Sequence, residues 1–274
     1  MMNRRAGIPF YAFLVVFVFF VMFPFLWVFL TSIKPPGEIF ASFAWFSKEP
    51  TIRSYESALT TRPLLTYMKN SFIVSAMTTL IAIVFASFAA YALTRLPIRF
   101  KKLILGIVLA SSMFPHIAIM SPIYNFATDF HLRNTYLGLV IPYITFSLPL
   151  AIWLLSTFFQ KIPFDLEESA KIDGATPFQT FRKVIFPLAA PGVFTTAILV
   201  FITAWNEYLF ALTINSKESS RTVPVGISLY QSDYTVPWGD ITAATVIVTI
   251  PIVVLVLIFQ RRIVSGLTSG SVKG

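Results

Sequence analysis

The sequence has no cysteine and little charge. Of its 274 residues, 12% are charged and 56% are hydrophobic, and the mean hydropathy is +0.77. A soluble domain carries about twice that charged fraction. Without cysteine the chain can form no disulfide, no thiolate nucleophile and no cysteine-ligated metal site. The composition therefore predicts that lipid surrounds most of the chain.

Motifs for nucleotide and ester chemistry are also missing. No Gly-x-x-x-x-Gly-Lys-[Ser/Thr] loop occurs to cradle phosphates, and no Gly-x-Ser-x-Gly nucleophile elbow occurs. The two histidines, His116 and His131, stand alone. We interpret His116, which follows Pro115, as a pore or packing histidine bonded to backbone rather than a metal ligand. We predict no catalytic residue, no metal site and no cofactor bound by this chain.

Six long stretches contain no Asp, Glu, Lys or Arg. A helix needs about 20 apolar residues to cross a bilayer, and each stretch is that long. Inside hydrocarbon a helix pairs its own backbone groups, whereas an open strand cannot. The stretches are 6–33, 70–94, 103–128, 134–160, 184–206 and 241–260. They predict an all-α integral membrane protein forming one transmembrane domain over 1–274. The expected spans are about 8–33, 70–94, 103–126, 135–160, 184–210 and 241–260, the first being too long for a cleavable signal peptide.

The basic residues predict the orientation of these spans. Six spans place both termini on one side of the membrane, and that side receives 13 of the 21 basic residues but only four of the 12 acidic ones. Loops rich in Lys and Arg remain in the cytoplasm. Both termini are therefore expected in the cytoplasm, and the net charge of +9 reflects topology rather than nucleic-acid binding.

The spans hold no interior carboxylate, which disfavours an ion-coupled carrier, because such carriers usually bind their ion at a buried acid. Glu207 comes nearest, at the end of the fifth stretch. We interpret it, with its neighbours Trp205 and Tyr208, as an interfacial anchor, and a polar group facing a translocation path is the alternative. The candidates for that path are His116, Asn125, Trp205, Asn206 and Glu207.

One polar segment interrupts the apolar chain. Asp165 and Glu168 have capping-box spacing, which predicts a short helix over about 164–174. Gly174 follows, where a left-handed cap costs least. Thr176, with Pro177 next and Gln179 three residues on, predicts a second capped helix.

This second helix is expected to continue into the fifth span, with kinks at Pro187 and Pro191 because each removes a backbone donor. In the short helix, the small residues Ser169 and Ala170 would allow close approach by a partner. The acidic residues Glu167, Glu168 and Asp173 would suit basic groups on that partner. The segment is thus predicted to be a cytoplasmic docking site, an ordinary interfacial turn being the alternative.

The same segment resembles the EAA-loop motif of binding-protein-dependent ABC importer permeases. Glu168-Ser-Ala-Lys-Ile-Asp-Gly174, nine residues and Val184-Ile-Phe-Pro187 keep the spacing of that motif. Asn70-Ser71, the stretch 89–95 and Ala204-Trp-Asn-Glu207 are similar to the carbohydrate branch of the family. The end of the chain, 266–274, is similar to the tail of the smaller permease subunit of maltose-type transporters.

The resemblance implies a MetI-like ABC permease fold in a bacterial or archaeal cytoplasmic membrane. It implies a second homologous permease, an ABC ATPase dimer that holds ATP and Mg²⁺, an extracytoplasmic solute-binding protein and a sugar substrate of di- or oligosaccharide size. The residues implied in ATPase coupling are Asp165, Glu167, Glu168, Ser169, Ala170, Asp173, Gly174, Ala175, Thr176 and Pro177. Those implied in an ATPase-contacting tail are Thr268, Ser269, Gly270 and Lys273.

The segments expected outside the membrane are short. The outside segments 34–69 and 207–240 are too short for an independent core. In the second, the aromatic residues Tyr230, Tyr234 and Trp238 would face the binding protein or form an interfacial belt. The alternatives to a sugar permease are an ion-coupled secondary carrier, a permease for a non-sugar solute, and a membrane enzyme acting on lipid or polyprenyl sugar.

Overall fold

The structure is a computed structural model that describes residues 7–41, 44–231 and 236–268, with side chains as far as residue 260. The described residues are almost entirely helical and contain no β-strand. Their α-helices, in chain order, are α1 Ile8–Ser32, α2 Glu38–Ala41, α3 Arg53–Thr60, α4 Leu64–Arg95, α5 Lys101–Ser111, α6 Met120–Asp129, α7 Tyr136–Phe159, α8 Asp165–Ile172, α9 Pro177–Thr180, α10 Phe186–Leu188, α11 Ala190–Trp205, α12 Leu209–Ile214, α13 Val223–Ser228 and α14 Trp238–Thr268.

Among the described residues, four helices are long and apolar enough to cross a membrane: α1, α4, α7 and α14. Two bent pairs of helices raise the number to as many as six if each pair is one span. The membrane-spanning class predicted from the charge-free stretches is thus confirmed. The individual span limits stay a prediction.

The stretch predicted as the third span is interrupted. Helix α5 and the segment His116–Asp129 meet at an angle of 83°, and a 3-10 turn, His116–Ile119, opens the second part. Pro115 precedes this turn in an extended conformation, with ψ at 122°. Proline cannot donate a helical hydrogen bond and disfavours helix in the residue before it, so a continuous helix over 103–126 is not formed.

The stretch predicted as the fifth span is bent as expected, and the angle of the bend is larger than that of an ordinary proline kink. Residues Pro177–Leu188 and α11 meet at 78°. A π-helical turn, Phe181–Ile185, and α10 lead into the break at Ala189, which Pro187 and Pro191 flank. The far end also differs from the expected 184–210, because α11 ends at Trp205 and residues 206–208 are not helical.

The chain divides into two compact units, and the first combines residues 1–65 with 227–250. In this unit the hydroxyls of Ser32 and Tyr55 are hydrogen-bonded at 2.7 Å, and Ser57 donates to Asp240 Oδ2 at 2.7 Å. Among the residues of α1, only Ser32 is buried. Helix α1 therefore presents nearly all of its apolar surface outward.

The second unit combines residues 66–226 with 251–274. Ala82, Ala86 and Ala90 form a stripe along α4 that allows close helix packing, and all three are buried. They belong to one apolar cluster with Leu155 and Phe159 of α7 and with residues of the π-turn and α11. This core holds the ends of α4 and α7 beside the polar segment at 161–183.

Candidate functional site

Helix α8 begins one residue earlier than a cap at Asp165 would require. Phe164 precedes the helix in a helical conformation, and its carbonyl accepts from Glu167 N at 2.8 Å and Glu168 N at 3.1 Å. No side chain caps this end, so the predicted capping box of Asp165 and Glu168 is wrong. Asp165 is the first helical residue, and the three carboxylates of the first turn still lie where the helix dipole favours negative charge.

The corner after α8 follows the prediction. Gly174 has φ +80°, and its N–H donates to Lys171 O at 3.0 Å, while Ala175 N donates to Ala170 O at 2.9 Å. The capping box at α9 is also confirmed. Gln179 N donates to Thr176 Oγ1 at 3.3 Å, and Thr176 N donates to Gln179 Oε1 at 2.8 Å, with Pro177 at the first helical position.

One acidic side chain of α8 faces into the protein. Glu167 is 4% exposed and forms an ion pair with Arg95, and Ala170, three residues on, is buried beside it. Residues three apart lie on one face of a helix. The expectation that Glu167 and Ala170 face a partner is therefore wrong. Arg95, at the end of α4, is a site residue that the sequence reasoning missed.

The outward surface of α8 and its corner mixes acidic and apolar groups. Ile172 is 86% exposed, and Leu166 and Phe178 also point outward. The remaining predicted docking residues that lie exposed are Asp165, Glu168, Ser169, Asp173, Gly174, Thr176 and Pro177, whereas Ala175 is half-buried. A partner that covers this surface would meet an apolar patch edged by carboxylates.

Phe181 anchors the segment that follows the corner. Its buried ring lies 5.1 Å from both Phe88 and Tyr91 of α4, 6.4 Å from Phe159 of α7 and 5.7 Å from Phe186, measured between ring centroids. Aromatic pairs at such distances contribute beyond their buried area. The path from the corner to the bend is therefore packed against two long helices.

Glu207 closes the gap between α11 and α12. Its carboxylate accepts from Phe210 N at 2.9 Å and Ala211 N at 3.2 Å, which are unpaired donors at the start of α12, and from the hydroxyl of Tyr143. Trp205 is 5% exposed and stacks on Phe201, so its predicted place in an interfacial belt is wrong. Glu207 acts as a helix cap in this structure.

The other path candidates are exposed. The ring of His116 lies 4.3 Å from that of Phe146 and 5.9 Å from that of Phe210, so its contacts are with aromatic rings. Asn125 lies on the exposed side of α6. Asn206 donates from its side chain to Ile202 O at 2.8 Å. The structure thus brings His116 near α12, which Glu207 caps.

The cap at Glu207 can be tested by two substitutions. Glu207→Ala removes every acceptor and is expected to cost about 1 kcal/mol or more in stability, as lost caps do. Glu207→Gln keeps one oxygen acceptor, so its melting temperature and its rate of solute uptake are expected to stay close to those of the wild type. If Glu207 instead bound a transported ion, Glu207→Gln would abolish uptake, although the melting temperature would stay unchanged.

Two asparagines that were not among the predicted site residues hold the loop 215–221. Asn70 Nδ2 donates to Ser219 O and Arg221 O, both at 2.9 Å, and Asn70 Oδ1 accepts from the Tyr136 hydroxyl at 3.0 Å. Asn134 Oδ1 accepts from Lys217 N at 2.8 Å and from Ser220 Oγ at 3.1 Å. Side-chain amides thus fix this loop by its backbone.

The aromatic residues predicted on the external side differ in their exposure. Tyr230 is 3% exposed, with the Arg62 guanidinium 5.6 Å from its ring, so the expectation that it faces a partner is wrong. Trp238 is exposed, and Tyr234 lies outside the described residues.

Thr268 ends α14, and the other predicted tail residues, Ser269, Gly270 and Lys273, lie outside the described residues. Within the part of the chain that is described, no group of three or more acidic residues or histidines could hold a metal ion.

Relatives of this chain transport sugars or sugar derivatives, according to their names. The trehalose transport system permease protein SugB of Mycobacterium tuberculosis is 46% identical over 257 residues, which cover 93% of each protein. The sulfoquinovosyl glycerol transport system permease protein SmoH of Agrobacterium fabrum is 42% identical over 254 residues, covering 92% of this chain and 89% of the relative. The trehalose/maltose transport system permease protein MalG of Thermococcus litoralis is 41% identical over 256 residues, 92% of each protein.

The fold is that of solved importers. A chain of a bacterial ABC transporter that imports the acidic polysaccharide alginate superposes with a TM-score of 0.79 at 22% identity, over 93% of this chain and 95% of that one. A chain of the MetNI methionine ABC transporter gives a TM-score of 0.56 at 17% identity, over 74% and 94%. The family described as binding-protein-dependent transport system inner membrane component matches residues 82–269, and this chain belongs to that family.

Proposed function

We propose that this chain forms half of the pathway by which an ATP-driven importer moves a di- or oligosaccharide across the cytoplasmic membrane. The named substrates of its relatives, trehalose, maltose and a sulfoquinovosyl derivative, support a sugar. A second homologous permease supplies the other half. A solute-binding protein delivers the sugar from outside, and both termini lie in the cytoplasm.

The observation that carries this proposal is the construction of α8 and its corner. An exposed surface of acidic and apolar side chains is joined by the left-handed Gly174 to a capped helix, and that helix leads through packed aromatic rings to the 78° bend. A plain connection between two spans would need neither the left-handed turn at Gly174 nor the capping box that begins α9. The segment has the features of a lever that receives force from another protein.

The chain itself is proposed to hold no nucleotide, and ATP and Mg²⁺ bind to the partner ATPase. Closure of the ATPase dimer displaces α8, and α9 with the Phe181 cluster passes this displacement to the bend before α11. Moving a two-state pore from 1:99 to 99:1 requires about 5.5 kcal/mol of differential interaction. The tail from Thr268 onward is proposed to contact the ATPase, and His116, Asn125, Trp205, Asn206 and Glu207 are proposed to lie near the path.

The test is uptake of labelled trehalose by the assembled complex in proteoliposomes, with the binding protein outside and ATP inside. Glu168→Lys reverses an exposed charge on α8 and is expected to lower uptake at least tenfold. Glu49→Lys makes the same charge change at an exposed residue far along the chain and should leave uptake within twofold.

Two results would contradict the proposal. One is uptake at the wild-type rate by Glu168→Lys. The other is trehalose uptake by the permease in vesicles that contain no ATPase and have only an ion gradient, because an ion-coupled carrier would behave that way.

A further inference from the structure

We infer that Arg95 is the positioning residue that makes α8 move as one body with the ends of α4 and α7. This inference rests on the proposed function, in which α8 receives force from an ATPase. It adds a second route for that force. Besides the path through Gly174 into α11, displacement of α8 reaches α4 directly through the Arg95 guanidinium.

A single guanidinium contacts three parts of the second unit. Arg95 is the last residue of α4, and its Nε lies 3.0 Å from Glu167 Oε1 of α8. Its Nη2 donates to the carbonyl of Phe159, the last residue of α7, and to Ile162 O at 2.6 Å. The Phe164 ring, just before α8, has its centroid 4.3 Å from the guanidinium carbon.

Burial gives this contact its strength. The Arg95 and Glu167 side chains are 1% and 5% exposed, so water neither screens the pair nor replaces it. Removing one member of a buried ion pair leaves an uncompensated charge, which is strongly unfavourable. The two members therefore stay together when α8 is displaced, and the backbone that carries each of them must follow.

The donor geometry is specific to arginine. The carbonyl of Phe159 belongs to the last turn of α7, where a positive charge is favoured, and it also accepts from Ile162 N at 3.2 Å. The planar guanidinium donates from Nη2 to that carbonyl and to the Ile162 carbonyl, while its Nε lies in ion-pair contact with the Glu167 carboxylate. A lysine ammonium is a point charge on a flexible stem and cannot hold all three in one fixed arrangement.

The corner at Gly174 alone would make a less rigid connection. Of the residues that the structure describes, none has an atom within 4 Å of the position where a Cβ would stand at Gly174, so none of them packs against the corner from that side. The attachment of α8 through Arg95 is enclosed by contrast. The geometry thus assigns the rigid link to the ion pair and leaves the corner as the place where the chain turns.

The first experiment measures ATP hydrolysed per labelled trehalose imported by the reconstituted complex. Arg95→Lys and Glu167→Gln are expected to keep ATP hydrolysis and to raise this ratio at least fivefold. The double variant Arg95→Gln with Glu167→Gln has no unpaired buried charge, so it should assemble, and it should remain uncoupled. Arg99→Gln, an exposed arginine four residues on, should keep the wild-type ratio.

A second measurement does not depend on these variants. Because the chain has no cysteine, spin labels can be placed at Ile98→Cys and Ser169→Cys, both exposed, in an otherwise wild-type protein. The distance between the labels is expected to stay constant when the complex is trapped with ATP, while the distance from Ser169→Cys to Thr203→Cys on α11 changes.

The inference fails if the double variant imports trehalose at the wild-type ratio, which would make the pair merely structural. It also fails if the distance between residues 98 and 169 changes on trapping. The proposed function fails separately, when the wild-type complex shows no ATP-dependent trehalose uptake. A wild-type complex that transports, together with variants that stay coupled, would overturn the role of Arg95 alone.

Discussion

Replacing Gly192 with alanine is expected to lower the melting temperature of the assembled protein sharply. Gly192 lies in α11, just after the bend, where that helix packs along α7. An added Cβ would stand 2.2 Å from Cγ of Phe158 and 2.5 and 2.6 Å from its two Cδ atoms. Overpacking of this kind costs typically about 1–3 kcal/mol and at times more. Since the Phe158 ring stands across the whole space, either the ring or the helix must move.

Gly106 provides the matched control for this substitution. It also lies within a helix, α5, but no atom in the described part of the chain stands within 4 Å of the point that an added Cβ would occupy. Alanine is favoured over glycine in a helix interior by about 0.5–1 kcal/mol. Gly106→Ala should therefore leave the melting temperature unchanged or raise it. Equal melting temperatures for the two variants, by scanning fluorimetry in one detergent, would contradict the close contact at Gly192.

Replacing Gly174 with valine is expected to lower sugar uptake at least tenfold while the permease still assembles. At φ +80° an L-residue is strained by about 1–2 kcal/mol, and a β-branched residue by more. Each 1.4 kcal/mol is a factor of ten in an equilibrium. The space around Gly174 is open, so the valine meets no clash and acts only through the backbone. The corner then opens, and α8 loses its direction relative to α9.

Asparagine separates this backbone effect from any effect of side-chain size. Asn is several-fold enriched at positive φ, so Gly174→Asn should fall between wild type and Gly174→Val. Measuring uptake and ATP hydrolysis on the same proteoliposomes shows whether the loss lies in coupling. If asparagine and valine impaired uptake equally, side-chain bulk at the partner's surface rather than the turn would be responsible.

The apolar segments were predictable because charge is excluded from lipid whatever the helix geometry. The same argument cannot detect breaks, since a bent helix pair is as free of charge as a straight one. Pro187 and Pro191 indicated the bend of the fifth stretch in advance, because two prolines in one turn remove two donors. Pro115 carried the same signal in the third stretch, where a single proline did not distinguish a tolerated kink from a break of 83°.

The turn after α8 could be predicted from neighbouring residues, whereas the inward orientation of Glu167 depends on a contact with a residue far away in the sequence. Thr176 with Gln179, and Gly174, act through backbone groups a few residues away, so their roles can be read from spacing. The partner of Glu167 is 72 positions earlier in the chain, and spacing carries no information about it. One signal was present, since Glu167 and Ala170 share a helix face that excludes Glu168. The pattern did not show that this face points inward, because the apolar side chains of Leu166 and Ile172 in the same helix point outward.

The exposed first helix has a consequence for how the protein is made. Of the four long candidate spans in the described residues, α1 is the most apolar, and none of its most apolar stretch is buried. It can therefore leave the translocon and partition into lipid before later segments have been synthesised. The two broken segments bend by 83° and 78° beside prolines that donate no backbone hydrogen bond, and interrupted helices of this kind rely on neighbouring segments to satisfy freed backbone groups in lipid. These segments therefore insert stably only when neighbouring helices are present. Biogenesis would begin with α1, which inserts alone, and continue with segments that insert together with their neighbours.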